Sequence, residues 1–355
     1  MKGKKKYFEE LNIFRALIIV WVIIGHSFDS GTDFLGMLHS YAYTFHMAAF
    51  FMLSGILFAG KCKSAKSIKD KAVLIKNRAL RLLTPYLFFT CVSYLLKIFF
   101  DEYANNSLPS INELLISILT GCHNPNGGLW FLHNLFVFSA VAVLISFIPS
   151  AVSTIVILAA NIACFLLNGS TFNILYFALY FALGLAVADR YDNVSKFFEV
   201  RYREKSSCIR LAVIDITMLA ASVALFTADI ILSLYTNLIF KIFYTLFNII
   251  TWYLIACVIT HLGIAKKPLG NIGSYSMDIY MIGYYVQIAL RVILKSMLGT
   301  PYIVYSLCMM IFGLILPIPI SKYIVRKVRL FRILCLGDYS KKQKCDDTVV
   351  NNQEK

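Results

Sequence analysis

Charge is what this sequence has least of. Only 15% of its 355 residues are Asp, Glu, Lys or Arg, against about 25% in soluble domains. With 59% hydrophobic residues and a mean hydropathy of +0.71, a soluble globular domain is excluded and a polytopic membrane protein is implied. No CxxC or HExxH pattern occurs, so no bound metal is expected. The nine cysteines are scattered. Only Cys122 falls clearly in a predicted outside loop, so no extracellular disulfide framework is implied. No internal repeat is visible, which weighs against an inverted-repeat transporter. No small-x-small cleavage site follows the first apolar stretch, which predicts a retained helix rather than a signal peptide.

What is present is a series of long apolar runs. They predict an all-α helix bundle with ten transmembrane spans at 13–29, 41–59, 83–100, 129–148, 151–168, 171–188, 211–229, 241–262, 273–294 and 302–322. With both termini in the cytoplasm, 30 of the 34 Lys and Arg fall on the inner side or its boundary. Lys97, Lys241, Arg291 and Lys295 are the exceptions. That satisfies the positive-inside rule, so the net charge of +15 sets orientation and suits anionic lipid headgroups rather than nucleic acid. The long outside loop, 101–128, carries Ile111-Asn-Glu-Leu-Leu-Ile-Ser-Ile-Leu119, too short to span and predicted to be an interfacial or re-entrant helix. Residues 1–335 read as one membrane domain, and 336–355 as a disordered polar cytoplasmic tail.

The chemistry-bearing residues are few. Arg15 and His26 close the two ends of ten uncharged residues. Eleven helical steps put them on one face, about 16 Å apart along the axis. Ionisable groups lined up within a membrane are costly and usually functional, although an anchoring arginine and an interfacial histidine would look alike. His46 and His133 are predicted within a turn or so of the depth of His26. A histidine that loses water is a natural general base, because burial disfavours its charged form. Asp29 could hold the ring of His26, or simply end the helix in water. On the opposite side, Arg78 and Arg81 lie on neighbouring helix turns, and arginine forks suit phosphate. A long phosphorylated thioester, held inside and reaching outward, fits that geometry.

Arg15-x10-His26, Phe45-His46-Met-x-x-Phe-Phe-x-Leu-Ser54-Gly55 and Arg78-x-x-Arg81 ahead of Pro85-Tyr86 together resemble the acyltransferase family 3 membrane proteins. Among these they are similar to the fucose 4-O-acetylase-like sugar acyltransferases. Gly128-Leu-Trp130-Phe-Leu and Ile272-Gly-Ser-Tyr-Ser-Met-Asp-Ile-Tyr280 add to the likeness, which runs from about residue 8 to 325. The resemblance implies a multi-pass cell-membrane O-acyltransferase that moves an acetyl group from cytoplasmic acetyl-CoA to a hydroxyl of a surface polysaccharide or lipid-linked sugar. It implies His26 as catalytic base and Arg15, Arg78 and Arg81 as donor-binding residues. His46, Ser54, Trp130 and His133 are the expected supporting or substrate-contacting side chains. Two departures stand out: Gly283 where relatives often carry histidine, and Ala48 where proline is common. The alternative from a different class is a non-enzymatic glycan or acyl-donor transporter.

Overall fold

The computed structural model of the chain describes residues 8–99, 109–121, 124–169, 173–188, 205–263 and 265–340, with isolated positions between 189 and 204. Every regular element among them is helical. In chain order they are α1 (Glu9–Ser27), α2 (Phe34–Tyr43), α3 (His46–Ser64), α4 (Ile68–Phe99), α5 (Ile111–Thr120), α6 (Trp130–Leu144) and α7 (Ser150–Asn168). They continue with α8 (Asn173–Ala188), α9 (Lys205–Leu232), α10 (Leu238–Leu262), α11 (Lys266–Ser274), α12 (Ser276–Leu290), α13 (Tyr302–Ile315) and α14 (Arg329–Leu336). A π-helical Arg291–Met297 extends α12, and Pro317–Ile320 with a π-helical Ser321–Val325 extends α13.

Among the described residues, eight helical stretches are long and apolar enough to cross a membrane. At the two remaining predicted positions, α6 and α8 are shorter, with 15 and 16 residues. Pro149 precedes α7 and limits how far α6 can run. Lipid-facing surface is plain on α7, where Ile155, Val156, Leu166 and Leu167 all stand exposed. Such surface is tolerated only where hydrocarbon replaces water.

The first helix organises the bundle. Glu9 and Glu10 sit in its first turn, where the helix dipole favours negative charge. Its apolar residues are buried on nearly every side: Leu11, Phe14, Ile18, Ile19, Val22 and Ile23 are all inside. A helix hydrophobic all round must be surrounded. Accordingly α1 packs against α2, α3, α10, α11, α12 and α13. A second close pairing joins α3 to α8. There Gly55, from the Ser-Gly pair of the sequence motif, lies against the backbone of Phe181 and Gly184. No side chain fits between them, as at small-residue crossings generally.

Two differences from the sequence reading matter. The second span, expected over 41–59, is broken at Thr44–Phe45, so α2 ends at Tyr43 and α3 runs from His46 to Ser64. The break survives because the carbonyl of Thr44 accepts hydrogen bonds from Tyr235 (3.2 Å) and Thr245 (2.7 Å). Buried carbonyls left without partners would be expensive. The predicted polar tail, for its part, does not start free at 336. Leu336 is buried, Ser340 accepts a hydrogen bond from Arg332, and residues 341–355 lie outside the described residues. Cys122 lies outside them as well. The short helix expected in the outside loop is α5, with a Ser110–Glu113 capping box and left-handed Gly121 at its end.

Candidate active site

Two cavities, at opposite ends of α1, are lined by the same pair of helices. The larger, about 630 Å³, opens at the basic end. Into it come Arg15 from α1, Lys61 from α3, Arg78 and Arg81 from α4, Arg326 after α13, and Arg332 from α14. Against these six cations stand two carboxylates, Asp278 and Asp338. The structure therefore brings Arg15, Arg78 and Arg81 together, three residues that sequence alone could only place on one side of the bundle.

Each cation is held differently. Arg78 donates from Nε to Ser139 Oγ at 3.1 Å, and its guanidinium lies 4.9 Å above the Phe58 ring, an arrangement open to a planar fork but not to an ammonium. Arg326 pairs with Asp278 at 3.0 Å and lies 4.3 Å over the ring of Tyr275. The hydroxyl of Ser321 also donates to the Asp278 carboxylate. Asp338 sits 3.8 Å from Arg332. Burial pushes its carboxyl up, but hydrogen bonds from Ser340 and the charges of Arg332 and Arg81 outweigh this and hold it below the usual carboxylate value. Gly337 has φ +58°, and a Cβ there would stand 2.5 Å from the carbonyl oxygen of Arg81. Only glycine lets the chain lie this close to α4.

The smaller cavity, about 20 Å³, sits at the other end and is lined by His26, Asn126, Tyr280, Tyr284 and Gln287 among others. That volume holds about one water. Edge-on rings of Tyr43 and Tyr284 flank His26 at 6.1 and 6.4 Å between centroids. Among the described residues His26 makes no hydrogen bond. Asp29 does not hold it. That carboxylate reaches Arg291 at 3.4 Å and is largely exposed, just past the end of α1, which Phe28 caps.

Helix α12 joins the two cavities: Met277 and Asp278 line the larger, Tyr280 and Met281 the smaller. Between Met277 and Met281 lies one helical turn, about 6 Å of axial rise. Gly283 faces α13, where a Cβ would stand 2.8 Å from the Gly313 carbonyl oxygen. The position often histidine in relatives is therefore a packing position here.

The other expected residues fall outside both linings. His46, the first residue of α3, is buried and donates from Nδ1 to the Ala42 carbonyl, with its ring 5.0 Å from that of Tyr43. His133 accordingly does not join the others: its Nε2 bonds the Leu119 carbonyl at 3.1 Å and ties α5 to α6. Shared depth grouped these three imidazoles, but depth fixes no face. Trp130 packs between Phe51 and Phe177. Ser54 lies on α3 beside Gly55.

Sequence reasoning missed His39. Its Nδ1 lies 2.8 Å from the carbonyl oxygens of both Gly25 and Phe28, so that nitrogen carries the proton. Those carbonyls belong to the end of α1, where helical partners run out. His39 thereby pins the turn that carries His26. The turn-rich Asp29-Ser-Gly-Thr-Asp33 segment, with Asp33 capping α2, was the available signal that the chain folds back here. Asp278 and Arg326 were missed as a pair because 48 residues separate them in sequence.

Among the described residues no group of three His, Cys, Asp or Glu side chains could hold a metal ion. In comparison with known proteins, residues 8–322 match the family model described as Acyltransferase domain. No curated protein and no solved structure matches the chain.

Proposed function

Because this chain belongs to the Acyltransferase domain family, matched over residues 8–322, we propose that it is an integral membrane O-acyltransferase carrying an acetyl group from cytoplasmic acetyl-CoA to a hydroxyl of a surface polysaccharide or lipid-linked sugar. One observation carries this reading: a cavity rich in arginine and a cavity containing an unbonded imidazole are lined by α1 and α12 alike. Six cations against two carboxylates suit a donor bearing several phosphate charges. The one-water size of the outer cavity favours a small acyl group over a long one.

In the reaction, the phosphates of the donor lie among Arg15, Arg78 and Arg81, and the thioester arm runs outward between α1 and α12. His26 accepts the proton of the acceptor hydroxyl as its oxygen attacks the thioester carbonyl carbon. The carbon–sulfur bond then breaks, and the leaving thiolate takes the proton back from the imidazolium. An ester and free coenzyme A result, with charge and protons balanced. Met277 and Met281, unbranched and adaptable, are the side chains that must yield for the arm to pass.

Sealed inside-out vesicles given acetyl-labelled acetyl-CoA test this. Label covalently attached to glycan is the expected result. Label that stays on coenzyme A, or crosses unaltered, would instead favour a transporter.

A further inference from the structure

The outer cavity contains a second group with unused hydrogen-bonding capacity. Of its polar side chains, Asn126 accepts from the Gly128 amide at 2.9 Å and donates to the Tyr285 hydroxyl at 3.3 Å. Tyr280 donates to the Gly128 carbonyl. The amide nitrogen of Gln287 is engaged by the Ile23 carbonyl (3.1 Å) and the Ser27 hydroxyl (2.8 Å). Tyr284 differs: among the described residues its hydroxyl makes no hydrogen bond. Unlike Tyr43, it lines the same cavity as His26.

Its neighbour in sequence shows that this is not a general property of the helix. The Tyr285 hydroxyl is engaged by Ser93 at 2.7 Å, Phe89 O at 3.0 Å and Asn126. Tyr284 is part-buried rather than sealed from solvent, and it lines with His26 a space about the size of one water. An unbonded hydroxyl and an unbonded imidazole on one such space are arranged for a substrate atom.

We propose that the Tyr284 hydroxyl is a catalytic hydrogen-bond donor to the thioester carbonyl oxygen. This inference rests on the acyltransferase reading above. As the acceptor oxygen bonds to the carbonyl carbon and His26 takes its proton, the carbonyl oxygen gains the electron pair of its π bond. The Tyr284 O–H stabilises that oxyanion without giving up its proton. When the carbonyl re-forms, the carbon–sulfur bond breaks and the thiolate leaves with the proton held by His26. Donors of this kind matter more in the transition state than in the bound donor, so their removal acts on turnover.

The test compares wild type, Tyr284→Phe, Tyr285→Phe and His26→Ala in native membrane vesicles given acetyl-labelled acetyl-CoA, with unfolding of each purified protein followed in detergent. Tyr284→Phe is expected to lower kcat by roughly tenfold to a thousandfold, leave KM for acetyl-CoA within about twofold, and keep the wild-type unfolding midpoint. Tyr285→Phe, losing a bonded hydroxyl, is expected to unfold at lower temperature. A Tyr284→Phe enzyme with wild-type kcat overturns the assignment, as does a loss confined to KM or a lowered midpoint. If His26→Ala is inactive while Tyr284→Phe is unaffected, only this assignment falls. A wild type that transfers no label overturns the acyltransferase reading and this inference with it.

Discussion

At the scale of single residues, the proposed reaction assigns turnover to His26 and donor binding to the arginines. His26→Ala is expected to lower transfer by about 10²–10⁴-fold, the usual worth of a general base, while leaving membrane insertion intact. Labelled-donor turnover beside a fractionation blot reads both. Arg81→Ala and Arg15→Ala should raise KM for acetyl-CoA about tenfold or more, since a charge-assisted hydrogen bond contributes about 1.5–3 kcal/mol. Acceptor preference should not change, and initial-rate kinetics across donor concentrations would show whether it does. Arg78→Lys is expected to behave like a loss rather than a conservative change. Only the guanidinium can both donate to Ser139 and lie flat on Phe58. Arg15, His26, Arg78 and Arg81, which line the two cavities, were conspicuous in the sequence as ionisable groups beside or within apolar runs. Tyr284 was not, since one tyrosine among 21 announces nothing until its hydroxyl is seen to lack a partner.

At the scale of elements, the end of α1 depends on a neighbour. His39→Ala leaves the Gly25 and Phe28 carbonyls without their donor. It should cost about 1–3 kcal/mol and lower kcat in part, because the turn bearing His26 loosens. Thermal unfolding and turnover on one preparation test this, and unchanged values in both would refute the pinning role. Gly337→Ala sets a Cβ against the Arg81 carbonyl at a backbone angle that side chains rarely adopt. It should push the end of the described chain off α4 and raise KM for acetyl-CoA. Helix α1 was legible as a helix because its apolar run fixes both type and length. The break between α2 and α3 was not, because what sustains it is donation to the Thr44 carbonyl from Tyr235 and Thr245, far along the chain. His133 was misgrouped for a related reason: sequence spacing estimates depth, while the face a helix presents is settled by what packs against it.

At the scale of the whole molecule, the charge distribution of the sequence already indicated a basic end, and the structure gathers six of those cations around one cavity. Binding there should weaken with salt, because raising ionic strength from about 0.1 to 1 M shortens screening from about 10 Å to about 3 Å. A KM for acetyl-CoA that does not move with salt would contradict the phosphate role of that cavity. The all-helical class was legible from periodicity. The closeness of the two cavities was not, because it depends on α12 lying along α1, a contact between residues more than 250 apart. The central claim is that one donor occupies both cavities at once. It is tested most directly with a coenzyme A thioester carrying a small photoreactive group in place of acetyl. After illumination and peptide mapping, crosslinks should fall near His26 on α1 and Tyr284 on α12, and excess coenzyme A should abolish them. Crosslinks confined to the arginine-lined cavity, or scattered over the lipid-facing surface of α7, would contradict it.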